Sequence, residues 1–156
     1  IYSRLSYSPK AKAIATLKTN LNSSVWLIPR EEPEKARQIS FGAGNYRGTI
    51  SWTFDEKLLY DSMVGNAASI SLMDADGRNQ KNLLGEMIGK GYFGGSTMSN
   101  DGRYVVFASD YGGKRNIWRM NRDGTDPLKL TSGEAENFPS ITPDGKFVYF
   151  TGLGAA

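Results

Sequence analysis

A four-residue turn signature recurs along this chain at near-constant intervals, and that recurrence limits the fold more than any other feature. The copies are Ser8-Pro9-Lys10-Ala11, Thr53-Phe54-Asp55-Glu56, Ser99-Asn100-Asp101-Gly102 and Thr142-Pro143-Asp144-Gly145, a period of about 45 residues. Two residues before the second position of each copy stands an apolar residue: Tyr7, Trp52, Met98 or Ile141. Five residues after it stands Ile14, Leu59, Val105 or Val148. A third column holds Val25, Ile70 and Ile117. Three columns in register mark an internal repeat.

The unit between turns is a set of short β-branched and aromatic runs broken by Asp-Gly pairs, the pattern of antiparallel hairpins. The clearest unit predicts a strand over 117–121, a turn at Asp123-Gly124 and a short strand over 128–131. A loop over 132–137 follows, then a strand ending at Pro143-Asp144-Gly145 and a last strand over 146–150. Four short strands per unit of this period predict an all-β fold of four-stranded β-propeller blades. About three and a half blades are expected, near 5–49, 50–96 and 97–139 with a half blade over 140–156. Neighbours cover both faces of a blade, so a continuous apolar run such as Tyr104-Val105-Val106-Phe107 fits better than strict alternation. A β-sandwich would lack the in-register repeat. Trp26, Trp52 and Trp118 fall inside strand patterns and are expected in the core.

At 156 residues the chain is one domain, but closed propellers have about four to eight blades. Either further blades of a longer parent chain or a second copy in a homo-oligomer is therefore expected to complete the ring. The net charge of +3 is scattered rather than gathered in a basic tract, which argues against nucleic acid. No run approaches the ~18 apolar residues of a membrane span, so no membrane insertion is expected. With no cysteine there is no disulfide framework, and with no histidine there is no Ser-His or Cys-His pair. A zinc site is disfavoured on the same grounds, as is a carbohydrate-active enzyme. Gly94-Gly95-Ser96-Thr97-Met98 lacks the final glycine of a nucleophile elbow. The Asp74-Asp76 and Asp123-Asp126 sets lack the spacing of a calcium loop, whereas Asp before Gly is what a tight turn uses. Glu134, Glu136 and Asp110 lie in expected loops, but no spacing singles out a carboxylate pair. No catalytic residue, cofactor site or metal site is expected.

The Ser/Thr-Pro-Asp-Gly-Lys turn with its following strand, then Ile117-Trp118-Arg119-Met120 leading through Asp123-Gly124 to Leu130-Thr131, resembles the TolB-type (WD-like) propeller repeat of bacterial proteins. The match is closest over 117–150, good over 99–107, and fair over 70–83. The first repeat departs from it, with Lys10-Ala11 for Asp-Gly and Pro29-Arg30-Glu31-Glu32 for the second turn. The resemblance implies a non-catalytic interaction module, periplasmic or secreted, that binds a protein or peptide. The alternative is the accessory, gating or sensor propeller of a larger peptidase or signalling kinase whose catalytic residues lie outside this chain. By register, the loops feeding each innermost strand converge on the channel mouth. They carry Asn45, Tyr46 and Arg47, then Lys90 and Tyr92, then Glu134, Glu136 and Asn137. Tyr beside Arg is a composition favoured at binding hot spots. Tyr46, Arg47 and Tyr92 are expected to be exposed, so that replacing Tyr46 and Arg47 together would spare the fold. Phe93 and Phe138 are expected to pack between blades.

Overall fold

The computed structural model describes residues 2–19, 23–40 and 45–153. The first sheet comprises β1 (Tyr2–Ser8), β2 (Ala13–Thr19), β3 (Ser23–Pro29) and β4 (Arg37–Gln38). The second comprises β5 (Asn45–Trp52), β6 (Lys57–Val64), β7 (Ala67–Asp74) and β8 (Lys81–Asn82). The third comprises β9 (Phe93–Met98), β10 (Tyr104–Ser109), β11 (Asn116–Asn121) and β12 (Leu128–Lys129). The hairpin of β13 (Glu134–Ile141) and β14 (Val148–Leu153) follows. Every pairing is antiparallel between sequence neighbours, so each sheet is an up-and-down blade. Two expected boundaries move. Glu134 to Asn137 belongs to the innermost strand rather than to a loop, and the last strand runs from Val148 to Leu153 rather than from Lys146.

The recurrent turn is a small hydrogen-bonded knot. In the third blade the Ser99 hydroxyl donates to Asp101 Oδ1 (2.6 Å) and accepts from the Tyr104 N–H (3.0 Å). Thr142 does the same with Asp144 (2.6 Å) and the Phe147 N–H (3.1 Å). Thr53 does so with Asp55 (2.7 Å) and the Lys57 N–H (3.0 Å). This second copy closes one residue sooner: the N–H that returns to Thr53 is that of Lys57, four residues on, whereas Tyr104 and Phe147 return from five residues on. The ungapped column that sets Leu59 against Val105 is therefore displaced by one, and Leu58 is the true counterpart. A one-residue slip in a strand exchanges its faces. Leu58 packs toward the first blade and Leu59 toward the third, whereas Val105 packs toward the second and Val106 toward β13–β14.

These assignments place the core between blades. One apolar cluster joins Ala15, Leu17, Val25 and Ile39 to Ile50, Leu58, Tyr60 and Met73 of the second blade. A second joins Leu59, Ile70, Leu72 and Leu84 to Phe93, Val105, Phe107 and Met120 of the third. A smaller one joins Val106, Ala108 and Ile117 to Ile141 and Val148. Val25, Ile70 and Ile117, the third column of the repeat, are completely buried. The tryptophans are half-buried rather than fully enclosed. Trp52 donates its indole N–H to the Ser6 carbonyl (3.2 Å) across the first two blades, and Trp118 sits edge-on to Tyr111. Beyond β14 no blade is described, and Tyr149, the counterpart of buried Val106, is 66% exposed. Phe138 is exposed for the same reason, contrary to the expected packing between blades.

Two further contacts join blades. Asp61 on β6 is buried and accepts from the Thr49 N–H (3.0 Å) and hydroxyl (2.8 Å) of its own blade. It also accepts from the Gly95 N–H (2.7 Å) and Ser96 hydroxyl (2.5 Å) of the next blade. Burial pushes its carboxyl above the ordinary aspartate range, and these hydrogen bonds oppose the rise. The outer Asp-Gly turns, meanwhile, press on the preceding blade. A Cβ at Gly77 would lie 1.6 Å from the Ile39 carbonyl oxygen, and one at Gly124 would lie 2.1 Å from that of Leu83. Both glycines also have positive φ (86 and 96). Gly145 has φ 72 with nothing near its missing side chain. Gly124→Ala is expected to cost about 2–4 kcal/mol, from left-handed strain plus overpacking. Gly145→Ala should cost about 1 kcal/mol, from strain alone. Urea unfolding of the two variants checks this, and equal losses would show that the inter-blade approach contributes nothing.

Candidate functional site

The loops at the end of the blades opposite the recurrent turns do not all present the residues expected of them. Asn45 and Arg47 lie on β5, and their side chains fall outside the described residues. Tyr46 is buried at 7% exposure, its ring 5.3 Å from that of Tyr60, so it is a core residue rather than an exposed one. Strand alternation begins at Asn45 rather than after Arg47, and this turns Tyr46 inward. Burial pushes the Tyr60 hydroxyl up to about 12, with Tyr46 adding to the shift. Replacing Tyr46 would therefore not spare the fold.

Glu136 is likewise not a surface group. It is 5% exposed on β13 and accepts from Asn116 Nδ2 (2.9 Å) and from the Thr131 hydroxyl. Its backbone N–H donates to the Arg115 carbonyl (3.0 Å), fastening β13 to the third blade. Burial alone would raise its carboxyl. The hydrogen bonds from Thr131 and Asn116 outweigh that effect, so it titrates below the ordinary glutamate value of 4.5.

Tyr92, Glu134 and Asn137 do converge. The residues that gather them come from the hairpin loop between β10 and β11, not from the loops that feed the innermost strands. The Arg115 guanidinium lies over the Tyr92 ring, 4.2 Å from its centroid, and its Nη1 donates to Asn137 Oδ1 (3.0 Å). The Asn137 amide donates in turn to the Ala135 carbonyl (2.9 Å). Asp110 at the start of the same loop accepts from the Tyr92 N–H (2.6 Å). Lys114 pairs with Glu134 and holds that carboxyl below the glutamate range. Phe93, buried against Phe107 and Tyr111 as expected, anchors the backbone next to Tyr92. Lys90 is exposed two residues before Tyr92.

The result is a partly exposed platform made of an aromatic ring, a stacked guanidinium and an amide. A cavity of about 400 Å³ beside it is lined by Asp110, Lys114, Arg115, Glu134 and Leu153. Chemically the platform can stack, donate and accept. It holds no nucleophile activated by a base. Among the described residues, no group of three or more acidic side chains is placed to hold a metal ion, and no helix is long and apolar enough to cross a membrane.

The folded-state value of Glu136 lies below 4.5, so its contribution to stability is complete above that pH and is lost as pH falls through the folded value. Glu136→Gln should lower stability at neutral pH by about 1.5–3 kcal/mol, the usual worth of hydrogen bonds to a charged acceptor. It should also flatten the fall in urea midpoint below pH 4.5, and an unchanged acid limb would remove Glu136 from the clamp.

No family model matches the chain. An uncharacterized protein of Agrobacterium fabrum is 31% identical over 106 residues, which is 67% of this chain and 35% of that protein. Among solved structures, TolB from Acinetobacter baumannii superposes with a TM-score of 0.84 at 21% identity, over 99% of this chain and 39% of that one. A TolB-assigned protein from Agrobacterium tumefaciens superposes at 0.83 with 26% identity, over 96% of this chain and 54% of that one. The chain thus spans about a third to a half of these relatives. Prolyl oligopeptidase B from Galerina marginata shares the fold at 0.64 and 18% identity, with 25% of its length covered. By its repeat and by these superpositions, the chain has the TolB-type β-propeller fold.

Proposed function

We propose that this chain is a non-catalytic interaction module of the periplasm that binds a protein or peptide at the Tyr92–Arg115–Asn137 platform. The observation that carries this reading is the Arg115 guanidinium stacked on exposed Tyr92 and tied to Asn137. Arg and Tyr dominate binding hot spots because each offers large area and directional donors at low entropic cost. Here Asp110 and Phe93 hold Tyr92, and Asn137 holds Arg115, before any partner arrives. Lys90 and the Lys114–Glu134 pair supply a polar rim. A second reading is an accessory propeller of a larger peptidase, and the fold likeness to prolyl oligopeptidase B supports it at a lower TM-score. In that reading the same platform would contact a peptide substrate or a neighbouring domain.

A displayed random-peptide library selected on the chain tests the proposal. Enriched peptides should bind the Tyr92→Ala/Arg115→Ala double variant about thirtyfold more weakly, the ~2 kcal/mol of a hot spot. The thermal midpoint should hardly change, since the Tyr92 ring is outside the core clusters. Equal binding to both proteins would show that the platform is not the site.

A further inference from the structure

The hairpin of β13 and β14 differs from the other three sheets: among the described residues, the outer edge of its second strand pairs with nothing. The strands in the same position, β2, β6 and β10, each pair there with a third strand, and that strand with a fourth. The shared turn fixes the correspondence residue by residue. The Phe147 N–H returns to Thr142 as the Tyr104 N–H returns to Ser99. Val148, Tyr149, Phe150 and Thr151 therefore stand where Val105, Val106, Phe107 and Ala108 stand in the third blade.

Both faces of β14 show the difference. Tyr149 points away from the third blade, so a following blade alone would cover it. Phe150 lies on the opposite face with Val148, toward the third blade, yet it is 42% exposed while Phe107 is fully enclosed. Phe107 owes its cover to its own sheet and to the blade before. It stands opposite Trp118 of β11 and shares a cluster with Met120 and Leu83. Leu83 in turn has a counterpart in Leu130: each donates its N–H to the third strand, at the Ile70 and Ile117 carbonyls. Leu83 is buried beneath the next blade, whose Gly124 closes on its carbonyl, whereas Leu130 is 40% exposed. Leu130 and Phe150 thus mark a slot that, between the second and third blades, is filled by a third strand and its Asp-Gly turn.

The chain itself specifies what fits such a slot. Its third strands begin Ser24-Val25, Ser69-Ile70 and Asn116-Ile117, a small polar residue before a completely buried β-branched one. An apolar residue follows three positions on, at Ile28, Met73 and Met120. In the second and third blades Asp-Gly comes next, at Asp76-Gly77 and Asp123-Gly124. We propose that the outer edge of β14 is a strand-acceptor site, which binds in trans a strand–turn–strand segment carrying this signature. Main-chain hydrogen bonds to the edge supply affinity, and alternate side chains supply selectivity. The β-branched residue stands opposite Thr151, as Ile117 does opposite Ala108, and the next residue covers Phe150, as Trp118 does Phe107. The glycine closes on the Leu130 carbonyl, where a side chain has no room. This surface is separate from the platform and uses neither Tyr92 nor Arg115.

The probe is a synthetic peptide with the sequence of residues 116–131, the outer hairpin of the third blade, titrated against the full chain. Fluorescence anisotropy should show saturable binding of one peptide per chain, with equal affinity for the Tyr92→Ala/Arg115→Ala variant, so that the platform can fail or succeed separately. Bound peptide should slow hydrogen exchange at the amides of β14 and leave those of β1 unchanged. The decisive substitutions are made in the peptide, where they cannot unfold the chain. Ile117→Asp and Gly124→Ala should each weaken binding about tenfold or more, the first through a buried charge and the second through left-handed strain and overpacking. Absence of binding, protection elsewhere than β14, or undiminished binding of the Gly124→Ala peptide would overturn the proposal. So would a chain dimer joined edge to edge through β14 that the peptide does not dissociate, as judged by light scattering.

Discussion

Asp61 is the point at which the stacking of these blades is most tightly determined. A carboxylate out of water is costly unless hydrogen bonds replace the solvent, and here four donors do so. Two of the four come from the adjacent blade, so the group is satisfied only when β9 sits in one position against β5 and β6. Apolar packing brings the blades together without direction. The Asp61 cluster adds the direction, and the backbone approaches at Gly77 and Gly124 set how near the outer strands can come. A blade of four short strands has two apolar faces and little interior of its own. Its stability resides in its neighbours, as in other repeat folds.

That arrangement also positions the platform. Tyr92 follows a glycine-rich crossing with no sheet of its own, yet it is tied down on both sides. Asp110 accepts its N–H, while Phe93, Gly95 and Ser96 just beyond it are committed to the core and to Asp61. Arg115 is held from the other direction, since its carbonyl accepts the Glu136 N–H. Ordering of the loops is thus supplied by the fold rather than by a ligand, and this is the condition under which aromatic and guanidinium groups contribute most to affinity.

Much of the fold was legible because the repeat is written in turn chemistry and buried columns. Val25, Ile70 and Ile117 read as equivalent and are equivalent. The Leu59–Val105 column failed through the physics of the turn. The second turn returns to its hydroxyl from Lys57, one residue sooner than the turns that end at Tyr104 and Phe147, and no composition rule announces that. The site was less legible. Tyr46 and Glu136 were read as loop residues because their strands begin earlier than the β-branched runs suggest. Arg115 carries no sequence signal of its role, because its loop lies far in sequence from the Tyr92 and Asn137 that it joins. Asp61 stands in an ordinary strand pattern, and only the packing of the next blade reveals its partners.

The residues that define the repeat are, for the same reason, poor candidates for binding. Asp101 is held down to about 2 by the Ser99 hydroxyl and by the Arg103 N–H and guanidinium. Asp123 and Asp144 are lowered by their own turn hydroxyls in the same way. Carboxylates already engaged by two or three donors have little left to offer a cation or a partner. Side chains that the turns do not use, such as Tyr92, Arg115 and Asn137, are the ones on which the proposed binding role rests. A propeller of this kind can keep its turn motif constant while its loop residues change, and so separates the chemistry that folds it from the chemistry that recognises a partner.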